Sequence, residues 1–192
     1  MNKFLDFLFV RRKHVCPWWL CFTFDNILRR VFHNPDKILG SYVREGDRVL
    51  DVGSGMGYFT IPLARIVGDK GQVIAIDVQE KMLETVKARA ERAGLADRIQ
   101  FRLAAGESID IEGQVDFALA FWMVHEVGNR GQFFSNIKSL LKPGGLFFIA
   151  EPILHVSQTR FQETTKIAEQ EGFRIKDRPG VFLSRAVLFT KK

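Results

Sequence analysis

A glycine-rich turn between two apolar runs is the feature that most restricts the fold of this chain. The apolar run that starts at Val49 leads directly into Gly53, Gly55 and Gly57. The next apolar run ends at Asp77, twenty residues after the last of these glycines. A strand, a glycine turn, a helix start and an acidic strand end are typical of the nucleoside-binding half of an α/β sheet. We therefore expect the ligand to lie against bare backbone, with the Asp77 carboxylate at its ribose hydroxyls.

Two side chains near the turn indicate which nucleoside is bound. A dinucleotide-binding turn of the form G-x-G-x-x-G would place its third glycine at position 58, where this chain has Tyr58. Asp51 would bring a carboxylate to the place where a pyrophosphate has to lie, and two anions there repel each other. A ligand with an ammonium group, such as S-adenosylmethionine (SAM), suits this acid better than a nicotinamide dinucleotide does.

Further segments have the composition expected beside such a turn. They are Asp77-Val78 with Met82 on the next helix, the apolar run 115–121, the turn 140–145, and the two runs 122–127 and 149–152. With these motifs the chain resembles the class I SAM-dependent methyltransferases, from about residue 36 to the C-terminus. Within that family it is similar to the small-molecule branch that includes the quinone-ring and arsenite methyltransferases.

The resemblance implies a fold, a cofactor and a set of contacts. The implied fold is α/β, a Rossmann-like doubly wound sheet of seven mostly parallel strands with one antiparallel strand near the C-terminus. The implied cofactor is SAM, with Phe121 near its sulfonium and Glu107 as the nearest acid to its adenine. The predicted cofactor contacts are Asp51, Gly53, Gly55, Gly57, Asp77, Val78, Met82, Ala105, Gly106, Glu107 and Phe121.

Apolar periodicity divides the chain into alternating elements. It predicts strands near 48–53, 72–77, 99–104, 115–121 and 145–150, helices near 58–67, 80–93, 131–142 and 158–171, and a final strand pair over 173–176 and 182–189. We also expect Asp36 to cap a helix that extends to Val43, and Gly94 to end the helix before it in a left-handed conformation. Residues 1–35 form a separate aromatic and basic segment, and 36–192 form the predicted SAM-binding domain.

Side chains that follow the fourth and fifth strands are the candidates for chemistry. Ligands of open α/β sheets bind beyond the carboxyl ends of the strands, and His125 with Glu126 follows the fourth strand while Glu151 and His155 follow the fifth. Methyl transfer needs a base only when the accepting atom must lose a proton, and His125 beside Glu126 is the predicted base. Glu151 and His155 are predicted acceptor contacts. The alternative is that His125 only hydrogen-bonds and shapes the pocket.

The N-terminal segment admits three interpretations: a lid over the SAM site, an interfacial membrane patch, or an extension of the core. It contains eight aromatic residues and a local charge of +4 in 35 residues. We favour the lid, in which Trp18, Trp19 and Phe22 line the acceptor pocket. A weak contact with a membrane surface is the second interpretation, because a short apolar run precedes a basic cluster.

A cluster of soft ligands lies within that segment. His14, Cys16 and Cys21 carry an imidazole and two thiols, but Cys-x₄-Cys without a second pair does not match a structural zinc site. We expect the cysteines to pack as small apolar residues. They nevertheless motivate the alternative function, a non-catalytic module that binds SAM, haem or a metal as a sensor.

Composition restricts the partners. The net charge is +6, yet no zinc finger, helix-turn-helix or aromatic RNA-binding signature accompanies it, so no nucleic-acid partner is predicted. No apolar run approaches the ~20 residues that a spanning helix requires, and no export signal is recognised, which favours a cytoplasmic location. The sequence thus predicts a SAM-dependent methyltransferase that acts on a small, apolar or aromatic acceptor.

Overall fold

The computed structural model describes residues 32–104 and 111–191. Five helices in these ranges are α1 (Pro35–Leu39), α2 (Thr60–Ile66), α3 (Glu80–Arg92), α4 (Arg130–Leu140) and α5 (Gln158–Gln170). The strands are β1 (Arg48–Val52), β2 (Gln72–Asp77), β3 (Ile99–Leu103), β4 (Val115–Phe121), β5 (Leu141–Pro152), β6 (Phe173–Asp177) and β7 (Ser184–Lys191). Short 3₁₀ turns lie at Ala96–Arg98 and Val124–Glu126.

All seven strands form one sheet in the order β3-β2-β1-β4-β5-β7-β6. Strands β1 to β5 pair in parallel, whereas β7 lies antiparallel to both of its neighbours. The strand order reverses between β1 and β4, and ligands of doubly wound sheets bind at such a reversal. The predicted seven-stranded, mostly parallel fold with one antiparallel strand is therefore confirmed.

The sheet has a core on each face because its central strands are apolar on both sides. On one face Val49 and Leu119 pack with Phe59 and Phe148. On the other face Leu50 and its neighbours pack with the aromatic side chains of α4 and the last strands. This two-sided burial holds the carboxyl ends of β1 and β4 in fixed positions, where the glycine turn and the segment 122–127 begin.

Two predicted helix ends have different outcomes. The end of α3 is confirmed: Gly94 has φ +66°, and the Leu95 N–H donates to the Ala90 carbonyl at 2.9 Å, as in a Schellman cap. The predicted helix from Asp36 to Val43 is wrong at both ends. Asn34 caps α1 by accepting hydrogen bonds from the N–H groups of residues 36 and 37, since Pro35 fits the first helical position, and the helix ends at Leu39.

The start of β5 also differs from the prediction. The strand begins at Leu141, directly after α4, so all but the first residue of the predicted turn 140–145 lies inside it as an irregular pairing. Val115 pairs with Leu141, but the next pair joins Phe117 to Leu146, so the register shifts there. Gly144 adopts φ +74° within this bulge. At the other end of the sheet, β7 begins at residue 184, two residues later than predicted.

Candidate functional site

The glycine turn lies between the end of β1 and the start of α2, and it leaves backbone open to solvent. Gly53, Gly55 and Gly57 have φ of +68°, +53° and +84°, a region that favours glycine. A Cβ on Gly53 would come within 2.9 Å of the Met123 Cγ, so this position requires close approach. A Cβ on Gly55 would meet no atom within 4 Å. The turn therefore has free space directly at Gly55.

Asp77 closes one side of that space. One carboxylate oxygen accepts the Gly55 N–H at 2.9 Å, and the other accepts the Gln79 N–H at 2.9 Å. The residue is only 7% exposed. Burial raises the pKa of Asp77, and the backbone hydrogen bonds from Gln79, Gly55 and Val78 oppose that rise without cancelling it. The carboxylate is thus held at the glycine turn by two backbone N–H groups.

Asp51 lies beneath the turn and is 3% exposed. The Thr60 hydroxyl donates to its carboxylate at 2.6 Å. Burial raises the pKa of Asp51 to about 7; the Thr60 hydrogen bond opposes the rise, and the charge of Asp77 adds to it. Because a neighbouring cation would favour the ionised form, this pair of buried acids is suited to a ligand with an ammonium group.

Apolar side chains are exposed where the nucleoside base would lie. Val78 follows β2 and is 46% exposed, and Leu103, which pairs with Asp77 at the end of β3, is 56% exposed. The Ser54 hydroxyl in the turn is buried and has no hydrogen-bond partner among the described residues. Met82, also a predicted contact, instead lies on the buried face of α3. Two apolar faces and an unpaired hydroxyl fit a nucleoside ligand.

Several predicted site residues lie outside the described residues. They are the adenine-side residues Ala105, Gly106 and Glu107, the acceptor residues Trp18, Trp19 and Phe22, and the weak metal candidates His14, Cys16 and Cys21. Within 32–104 and 111–191, no three His, Cys, Asp or Glu side chains are grouped so that they could hold a metal ion. No helix in those same ranges is long and apolar enough to cross a membrane.

His125 and Glu151 form a hydrogen-bonded pair between the ends of β4 and β5. The His125 Nδ1 lies 2.5 Å from one Glu151 oxygen, and the His125 backbone N–H donates to the other at 3.2 Å. Glu151 is 1% exposed. Burial lowers the pKa of His125. The hydrogen bond and charge of Glu151 and the charge of Glu126 together raise it by more, so the pKa of His125 lies above its ordinary value. A carboxylate on Nδ1 leaves Nε2 as the nitrogen for proton transfer.

Other polar groups surround this pair. Arg160, in the first turn of α5, donates to the His125 carbonyl at 3.1 Å, and its charge lowers the pKa of His125. The exposed His155 places its ring centroid 6.2 Å from that of His125. Glu126 ends the 3₁₀ turn that carries His125. The structure thus brings together all four residues predicted after β4 and β5, and it adds Arg160, which no sequence pattern indicated.

Phe59, Phe121 and Trp122 form an aromatic wall at this edge of the sheet. The Phe121 ring packs at a tilt against that of Phe59, with a centroid distance of 4.3 Å, and lies 5.5 Å from the Trp122 ring. Trp122 adopts φ +61°, rare for a bulky residue, and its indole N–H donates to the Ser184 hydroxyl at 2.9 Å. The sequence singled out Trp122 within the segment 122–127 but gave no sign of this bond to β7.

His33 joins this wall from the N-terminal side, a position that the sequence did not predict. Its ring is buried, lies 5.1 Å from the Trp122 ring, and places Nε2 2.7 Å from the Phe182 carbonyl. Its own carbonyl accepts the Tyr58 hydroxyl at 2.8 Å. The chain therefore enters the described domain at the mouth of the site, between the glycine turn and β7.

Comparison with known proteins agrees with this geometry. The family model of a methyltransferase domain matches residues 44–177. The ubiquinone/menaquinone biosynthesis C-methyltransferase UbiE of Teredinibacter turnerae is 30% identical over 112 residues, which are 58% of this chain and 45% of that protein. The UbiE of Vibrio vulnificus (strain YJ016) is 27% identical over 141 residues, 73% of this chain and 53% of that protein. The chain spans about half the length of these curated relatives.

A solved structure matches over a larger share. The crystal structure of a SAM dependent methyltransferase from Aquifex aeolicus has a TM-score of 0.84 and 26% sequence identity. The alignment covers 93% of this chain and 100% of that one. The similarity therefore extends over the whole sheet, including the strands that carry the site.

Proposed function

The chain belongs to the methyltransferase-domain family, and on that premise we propose that it transfers the methyl group of SAM to a small, apolar or aromatic acceptor. One observation carries the proposal. The carboxyl edge of a single sheet holds both the open glycine turn with Asp77 and the His125–Glu151 pair. A donor site and a base side by side are what methyl transfer to a protonated acceptor requires.

The residues at the turn fit SAM. Open space at Gly55 lets a ligand lie against the backbone, and Asp77 is placed for ribose hydroxyls. Val78 and Leu103 offer apolar surface to a flat base, and Asp51 offers an acid to the methionine ammonium. SAM supplies an electrophilic methyl group on a sulfonium. Ala105 to Glu107 and Phe121 complete the proposed contact set.

The acceptor side favours a ring with an ionisable hydroxyl. His125, held at Nδ1 by Glu151, is the proposed base that takes the proton, and Glu126 and His155 are proposed neighbours of the acceptor. Phe121 and Trp122 supply flat apolar surface beside them. The curated relatives are named for ubiquinone and menaquinone biosynthesis, so we propose a quinone-ring precursor as the acceptor class. The segment 1–35, with Trp18, Trp19 and Phe22, is the proposed lid.

Methyl transfer is tested by mass spectrometry of products. The purified full chain is incubated with SAM and a panel of hydroquinones and catechols, beside the His125→Asn variant. We expect an acceptor that gains one methyl group, and a loss of rate in the variant of about 10²-fold or more, the usual contribution of a general base. If S-adenosylhomocysteine binds but no acceptor class is methylated, the non-catalytic sensor function is favoured instead. The metal or haem candidates of that sensor lie outside the described residues.

A further inference from the structure

Five exposed apolar side chains form one patch on the acceptor side of the site. We call this patch the apolar rim; its members are Phe32, Ile153, Leu154, Phe182 and Leu183. Two contacts join them across the sequence: the Ile153 N–H donates to the Leu183 carbonyl at 3.0 Å, and the Phe32 and Phe182 rings stack at 4.6 Å. Leu154 is 83% exposed and adjoins His155. Contiguous exposed apolar surface of this kind marks an interaction site.

Basic side chains flank the loops that present the rim: Arg178 lies in the loop before β7, Arg185 in β7 and Arg160 in α5. Residues 152–162 contain Arg160 and no acidic residue, and residues 178–188 contain Arg178 and Arg185 and no acidic residue. Arg160 donates to the His125 backbone carbonyl. Arg185 donates to the Gln158 side-chain oxygen and to the backbone carbonyl of residue 156, and all three of these oxygens are neutral. Their charges are therefore not neutralised by these contacts. The rim combines apolar tips with a surrounding positive charge.

A fourth cation lies at the outer side of the rim. Lys37 lines a cleft of about 220 Å³ together with Phe32, Phe182 and the turn at Pro179. The cleft connects the stacked phenylalanines to α1. One basic side chain, Lys37, thus lies on the α1 side of the rim, next to Asp36 in α1.

Charge decides between the surfaces that could cover the rim. The segment 1–31 of this chain carries six Lys or Arg against two Asp, and a second copy would bring the same basic loops. Both have the same sign as the rim. An anionic lipid surface has the opposite sign and also accepts apolar tips, as basic and apolar interfacial segments do. We propose that the apolar rim inserts into the interface of an anionic lipid bilayer, with the mouth of the acceptor site facing the lipid.

This proposal does not depend on methyl transfer and is tested by vesicle sedimentation. The full chain is mixed with vesicles of phosphatidylcholine alone or with roughly a third phosphatidylglycerol. We expect binding to the anionic vesicles that weakens strongly in high salt. Leu154→Ser and Phe182→Ser should each weaken binding about ten-fold, because each removes one apolar side chain from the lipid. The control is Leu103→Ser, which removes a leucine that is 56% exposed on the nucleoside side.

Each alternative has its own result. Absence of binding to anionic vesicles by the folded full chain would overturn the proposal. An equal loss of vesicle binding in Leu103→Ser and Leu154→Ser would overturn it as well. A loss of vesicle binding that occurs only when Arg11, Arg12 and Lys13 are changed to Gln would also overturn it, because binding would then belong to the N-terminal segment. A Leu154→Ser variant that converts a dimer to a monomer, without vesicle binding in either form, would instead assign the rim to self-association.

Discussion

At the scale of single residues, the His125–Glu151 contact determines how activity depends on pH. Glu151 raises the pKa of His125, so the wild-type base is lost to protonation at a higher pH than an isolated histidine would be. Glu151→Gln removes that charge and lowers the pKa of His125. We expect the acidic limb of the kcat/KM profile to move to lower pH while kcat falls about ten-fold, because the ring is less well oriented.

The control for this variant is donor binding. Calorimetry with S-adenosylhomocysteine should give the same affinity for Glu151→Gln and wild type, because Glu151 is not among the proposed donor contacts. A fall in kcat with an unmoved acidic limb would contradict proton transfer by His125 and would leave Glu151 a structural residue only.

Asp51 gives a second prediction at this scale, on stability. The pKa of Asp51 is about 7 in the folded protein, against 3.8 for an ordinary aspartate in the unfolded chain, so folding favours the protonated form. This contribution to the unfolding free energy is complete below about pH 4 and is lost as the pH rises through about 7. The wild-type protein should therefore lose about 2–3 kcal/mol of unfolding free energy between about pH 5 and about pH 8 that Asp51→Asn does not lose, because asparagine does not titrate.

Thermal or urea unfolding at those two pH values measures the change. Asp97→Asn, at an exposed position of the same domain, controls for the loss of one negative charge. If the stability difference between wild type and Asp51→Asn is the same at both pH values, the carboxylate does not titrate in the way its burial implies.

At the scale of elements, two glycines allow the role of the glycine turn in folding to be distinguished from its role in binding. Gly55 and Gly94 both have positive φ, and a Cβ on either meets no atom within 4 Å. Alanine at each position should cost about 1–2 kcal/mol of unfolding free energy, a fall in Tm of roughly 3–6 °C. We expect only Gly55→Ala to weaken binding of S-adenosylhomocysteine, by about ten-fold or more, because only its Cβ enters the ligand space.

Calorimetry beside a melting curve for each variant makes this comparison. Equal affinities of Gly55→Ala and Gly94→Ala would show that the open space at residue 55 is not the donor site. If Gly55→Ala and Gly94→Ala both fail to fold, the loss of stability exceeds the strain expected for one alanine at positive φ.

The sequence predicted some elements well for identifiable reasons. β1 and β2 are short, mostly apolar runs that end at a glycine turn and an acid, with Asp51 as the one buried acid inside β1, and α3 has a clear helical period and a glycine cap. α1 was mispredicted because Pro35 moves the cap to Asn34, a single-residue effect that periodicity does not register. The early start of β5 was missed because its bulge places Gly144 inside a strand, where glycine ordinarily indicates a turn.

At the scale of the whole molecule, the site is assembled from residues that are distant in sequence. His125 and Glu151 were both predicted near the site, but their hydrogen bond spans 26 residues and depends on how β4 and β5 pair. His33 meets Phe182 across 149 residues, and no local pattern indicates that contact. Motifs therefore located the carboxyl edge of the sheet, whereas side-chain pairing across that edge required the assembled fold.

The apolar rim is also a property of the whole molecule. Its two loops precede and follow different strands, and they become one surface only because β7 returns antiparallel beside β5. Donor site, base and rim thus share one edge of the sheet, while the opposite edge carries the connections from helix to strand.

Donor binding distinguishes a methyl-donor site from a dinucleotide site at the glycine turn. The purified, reduced full chain is titrated calorimetrically with S-adenosylhomocysteine and, separately, with NADH. We expect S-adenosylhomocysteine to bind with one site per chain, Asp77→Ala to abolish this binding, and NADH not to bind. Binding of NADH alone, or binding of S-adenosylhomocysteine that survives in Asp77→Ala, would contradict the assignment of the glycine turn as a methyl-donor site.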